Sequence, residues 1–155
     1  MNANISYKLV DIDQIRCTYD DSVIKLNNIL TNQIKEKIKE DAQEMLHKLN
    51  ELMFMAKTWS ECQYKWLFLE KIYATADNPE PLRNAEDKQN QISYFQVVKE
   101  FRNFQFRAVD NPIAMNILFR TDNKANLIKW HQTMVSFNIG YLCEIFVLFL
   151  LKMLW

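Results

Sequence analysis

Few residues in this chain have the type and spacing for chemistry, and the best of them lie in one stretch, WSECQYKWLFLEKIY, from Trp59 to Tyr73. A thiol (Cys62), an amide (Gln63) and a carboxylate (Glu70) sit there among two tryptophans. A nucleophilic cysteine needs a lowered pKa from a neighbouring cation or a helix N-terminus. Thr58 and Trp66 occupy the positions four residues either side of Cys62, and no helix start is near it. On a helix, Trp59, Cys62, Trp66, Leu69 and Tyr73 alternate by three and four, as do the a and d positions of a coiled coil. The stretch is therefore read as a packing seam, with Gln63 and Glu70 beside it.

Other candidates are weaker. The two histidines, His47 and His131, lack the HExxH or paired CxxC spacing that zinc requires. His47 falls among charged residues and reads as solvated; His131, after Trp130, packs or faces water. Asp20 and Asp21 are adjacent, so on a helix they diverge and form no catalytic pair. Lys35 to Glu44 mixes both charge signs at helical spacing and reads as a solvated face. No catalytic, cofactor-binding or metal-binding residue is assigned.

Composition narrows the field further. The 155 residues contain one glycine, Gly140, so neither a phosphate-binding loop nor a dinucleotide-binding turn can be built. Lysine plus arginine equals aspartate plus glutamate, 19 each, and no net field points to nucleic acid or an acidic membrane. Hydrophobic residues make up 49%, enough for a core. Cys17, Cys62 and Cys143 are odd in number and far apart, which fits a reducing compartment. The N-terminus lacks the apolar core of a signal peptide, and the chain reads as intracellular.

The elements that would position these residues are helices, and the expected fold class is all-α, an elongated bundle of long amphipathic helices. Ile12, Ile15, Tyr19, Val23, Leu26 and Leu30 share one face and predict a helix over 11–30, with Asp11 and Gln14 as a loose capping pair. From Ile34 to Tyr73 no breaker intervenes. Ile38, Ala42, Met45, Leu49, Met53, Ala56, Trp59, Gln63 and Trp66 follow one apolar step, which predicts a single helix of roughly 60 Å. Thr75 to Gln91, with Pro79 and Pro81, predicts a loop. ISYFQVVKEFRNFQF predicts a third helix with Phe95, Val98 and Phe101 on its apolar face. Asp110 to Pro112 predicts a turn, and Pro112 to Phe119 a short helix. A break at 121–123 is followed by a helix with Leu127, Trp130, Met134 and Phe137 on one face. Ile139 to Trp155 is apolar on every side, yet its run between Glu144 and Lys152 is short for a membrane span.

The order of these segments resembles the linker region at the N-terminal side of dynein heavy chains. Val10-Asp11-Ile12-Asp13 is similar to that family's VDDI-like start, and Asp20-Asp21-Ser22 with Leu26, Ile29 and Leu30 to its next segment. Trp59, Cys62, Gln63, Trp66, Leu67, Phe68, Leu69, Glu70, Ile72 and Tyr73 match its W..CQ..WLYLE.IF pattern. Phe95-Gln96-Val97-Val98 with Phe101 resembles its F..VD..F segment. The likeness covers residues 10–137. Residues 1–9 precede it, and the apolar residues 138–155 lie outside the pattern. Asp77 to Leu82 departs from the family's acidic-Ile-Leu-Pro stretch, and Tyr141-Leu142-Cys143-Glu144 only echoes what usually follows.

The resemblance implies a non-catalytic piece of a motor, the rod that passes nucleotide-driven shape change from an ATPase ring to a tail. ATP and magnesium would bind in that ring, not in this chain. The implied partners are the rest of a dynein heavy chain and dynein intermediate or light chains, in the cytoplasm and cytoskeleton, with the ciliary axoneme as one setting; neither nucleic acid nor a membrane is expected. The apolar end is then expected to be translated non-coding sequence of an incomplete gene model. The alternative is a stand-alone helical interaction protein with a hydrophobic C-terminal anchor. An enzyme is the third reading, and no nucleophile-base pair supports it.

Overall fold

The computed structural model describes residues 8–33, 35–73, 85–110, 120 and 122–137, with the side chains of all but 71–73 and 85–91. The expected loop over 75–84, the short helix at 112–119 and the apolar end from Ile139 lie outside these residues, as do Cys143 and the side chain of Tyr73. The described residues form four helices and no strand: α1 (Ile12–Thr31), α2 (Glu36–Tyr73), α3 (Ala85–Asp110) and α4 (123–137).

Helix α1 begins where the apolar spacing begins, but its start is not a side-chain cap. Asp11 has φ 57 and ψ 40, in the left-handed region, and its carboxylate caps nothing. Side-chain capping needs an extended N-cap backbone, which this conformation removes. The Asp11 carbonyl instead accepts from the N–H groups of Gln14 and Ile15 at 3.0 and 3.1 Å. Helix α4 opens in a similar way, after Asp122 at φ 77, with Asn126 N–H donating to the Asp122 carbonyl. Aspartate tolerates this region better than most residues.

Helix α2 has 38 residues and is about 57 Å long at the standard rise. Its single apolar step, as read from sequence, divides into two faces. Asn50 and Gln63 bond to the α1 side, and Leu49 and Leu52 line a groove with it. Met55, Cys62, Trp66 and Leu69 enter the main core with α3 and α4. At 100° per residue the two sets lie roughly 130° apart around the helix. Helix α2 thus serves two packings at once.

Helix α3 starts at Ala85, two turns earlier than the loop expected to extend to Gln91. The segment AEDKQNQ is polar but holds no glycine or proline, and Ala, Glu, Lys and Gln are good helix formers. Polarity was mistaken for irregularity. A second correction concerns its face. Tyr94, Val97, Val98, Phe101, Phe104 and Ala108 are buried, while Phe95 is 46% exposed. Tyr94, Val97 and Phe101 follow the three- and four-residue step that holds the core stripe; Phe95 sits to one side of it.

Contacts fix the directions. Leu9 meets Gln63 and Tyr19 meets Asn50, so α1 and α2 are antiparallel. Trp66 meets Phe101 and Trp59 meets Phe104, so α2 and α3 are antiparallel. Trp130 meets Phe101 while Phe137 meets Tyr94, so α4 runs against α3 and along α2.

Candidate functional site

The stretch from Trp59 to Tyr73 occupies the C-terminal half of α2, and there each polar residue meets a different part of the chain. Cys62 is fully buried and its Sγ–H donates to the Leu127 carbonyl of α4 at 3.5 Å. Burial pushes its pKa up to about 12, with Glu61 adding to the rise and Lys65 opposing it. The thiol is therefore neutral at physiological pH and unfit for nucleophilic attack. A small apolar group with one weak donor is what the site uses.

Gln63 behaves as a piece of backbone. Its Oε1 accepts from the Leu9 N–H at 2.7 Å and its Nε2 donates to the Leu9 carbonyl at 3.0 Å. One amide satisfies both polar groups of one residue, as a neighbouring strand would, and ties the segment before α1 to the middle of the bundle. Glu70 accepts from Arg102 Nη2 at 2.7 Å, and the same guanidinium lies over the Trp66 ring, 5.4 Å from its centroid. A cation–π contact and an ion pair therefore join α2 to α3 at one residue.

The rings form a continuous cluster. Trp66 meets Phe101 edge-on at 6.0 Å, and Trp59, half-buried, meets Phe104 edge-on at 4.8 Å. Trp130 sits against both phenylalanines, at 5.8 and 5.7 Å, and its Nε1–H donates to Glu100 at 2.9 Å. Edge-to-face pairs add to the stabilisation of area burial. Of the seam residues read from spacing, Cys62, Trp66 and Leu69 lie in this cluster and Trp59 packs against it.

Around the cluster, charged pairs connect α2 to α4. Lys124 Nζ pairs with Glu51 and lies over the Phe54 ring, and His131 Nε2 is 3.1 Å from Glu61. His47 is exposed. Sequence reasoning missed every one of these long-range pairs, as well as the buried Gln105, because spacing along one helix does not say which helix lies opposite. The Arg102 and Glu70 pairing had a faint signal, since both flank their apolar stripes.

Among the described residues, no group of three His, Cys, Asp or Glu side chains is placed to hold a metal ion. No helix among them is long and apolar enough to cross a membrane. A shallow groove of about 450 Å³ lies between α1 and α2, lined by Val10, Ile15, Tyr19, Leu49 and Leu52 among others. It contains no set of groups that could act as acid, base and nucleophile together.

Compared with known proteins, the chain matches the family described as dynein heavy chain, N-terminal region 2, over residues 2–136. No curated protein and no solved structure matches it.

Proposed function

Because this chain belongs to the dynein heavy chain family, as part of its N-terminal region 2, we propose that it acts as a mechanical linker. It carries a nucleotide-driven shape change from an ATPase ring toward the tail of the motor, and it has no catalytic centre of its own. The observation that supports this most is α2, a 38-residue helix flanked by α1 on one face and by α3 and α4 on another. A long helix alone bends, but one locked by interdigitated rings moves with its neighbours as a unit, because close-packed interiors have low compressibility and transmit strain.

In this reading Trp59, Cys62, Trp66, Leu69 and Tyr73 are structural, and the two tryptophans stiffen the rod. ATP and magnesium act in the ring, elsewhere in such a heavy chain. The partners are the rest of the heavy chain and, through it, intermediate or light chains, and the setting is the microtubule cytoskeleton, with the axoneme of a cilium as one place for it. The test separates transmission from catalysis. In a dynein heavy chain carrying this sequence, Trp66→Ala is expected to slow microtubule gliding while the ring continues to turn over ATP. Unchanged gliding, with the loss of ring packing verified by near-ultraviolet circular dichroism, would refute the linker role.

A further inference from the structure

The face of α3 turned toward α2 carries a polar group that ring packing does not account for. Gln105 is 1% exposed, and neither its Oε1 nor its Nε2 has a hydrogen-bond partner among the described residues. The same is true of three buried N–H groups nearby in the contact order: Trp59 Nε1, Trp66 Nε1 and Arg102 Nε. Buried polar atoms are nearly always satisfied, so four such residues at one interface require a common partner.

Register places them together. Phe101 and Arg102 both meet Trp66, and Phe104 meets Trp59. Gln105 is four residues past Phe101 and three past Arg102, so it shares their face one turn further along. Helix α2 runs the other way, and one turn back from Trp66 toward Trp59 is the turn opposite Gln105. The amide thus falls between the two indoles along the interface.

The chemistry of the set names what completes it. Indole and Arg Nε groups only donate, and Gln105 Oε1 is the one acceptor present. If it accepts from one or both indoles, the amide N–H groups and Arg102 Nε–H still need acceptors. The completing group must accept and donate, must be small, and must be neutral, since the Arg102 charge is already met by Glu70 at 2.7 Å. Water has all three properties. We propose that Gln105, Trp59 and Trp66 hold a buried structural water between α2 and α3, which accepts from an indole N–H and bridges to the Gln105 amide.

The experiment is solution NMR of the full chain with nitrogen-labelled tryptophan. A long-lived water contact is expected at the indole proton of Trp59 or Trp66. In Gln105→Leu it is expected to vanish, while helical circular dichroism and the Trp130 indole resonance, held by Glu100, persist. No water contact in the natural sequence would overturn the proposal, and so would a contact that survives Gln105→Leu. Should that variant not fold, a crystal structure of the natural sequence decides: a water bonded to Gln105 and an indole supports the site, and a direct amide-to-indole bond without water refutes it.

Discussion

The two sides of α2 show how similar apolar spacing can end in unlike packing. Toward α3 and α4, Met55, Cys62, Trp66 and Leu69 are essentially removed from solvent. Toward α1, none of the α1 residues is fully buried, although Ile12, Ile15, Tyr19, Val23, Leu26 and Leu30 repeat as regularly as any stripe in the chain. The difference is one of neighbours. The aromatic side closes because three helices meet and large rings fill the space between them. The α1 side is a pair of helices, and a two-helix contact leaves each apolar side chain open along its edge. Periodicity tells which residues face inward; the number of elements that converge decides how much water they lose.

The substitutions that bear on this contrast differ in size. Trp66→Ala on the aromatic side is expected to destabilise the chain by about 3–5 kcal/mol, read from urea unfolding, since the ring is fully buried. A loss as small as that of an exposed residue would place Trp66 outside the core. On the α1 side, Leu26→Ala should lose only about 1–2 kcal/mol because the residue is half-buried. If it matched Trp66→Ala, the two sides would not differ. Gln63→Ala removes both bonds to Leu9 and is expected to lose about 1–2 kcal/mol. Its effect should appear as faster amide exchange at 9–15, with the aromatic side unchanged.

The smallest effect concerns the rim between α2 and α4. A hydrogen bond from Lys124 holds the Glu51 carboxyl below its ordinary 4.5, with a smaller contribution from His47. A depressed carboxyl pKa stabilises the fold above the unfolded value and loses that effect as pH falls through the lower folded value. The difference in melting temperature between the natural chain and Lys124→Met should therefore be present at neutral pH and shrink below pH 4.5. A difference that does not change with acidification would remove Glu51 as the partner.

The sequence made the helices legible wherever apolar residues recur without interruption. The bounds of α1 and α2 and the buried face of α4 at Leu127, Trp130 and Met134 came from spacing alone. The first two turns of α3 did not, since polar helix formers carry no periodic signal. Phe95 was misplaced because a run of apolar residues, Tyr94 to Val98, offers two overlapping faces and only the opposing helices choose between them. At the candidate site, the types of Cys62, Gln63, Trp66 and Glu70 were visible, and the W..CQ..WLYLE likeness marked them as a group. Their separate attachments to Leu127, Leu9, Phe101 and Arg102 needed three-dimensional proximity.

The measurement that bears most directly on one helix with two unequal packings is native-state amide hydrogen exchange on the full chain. The amides of 59–69, 97–108 and 127–134 should open together, with the free energy and denaturant dependence of global unfolding, while α1 opens at lower free energy. Exchange in α1 as slow as in the aromatic side, or earlier opening of the aromatic side, would contradict the account.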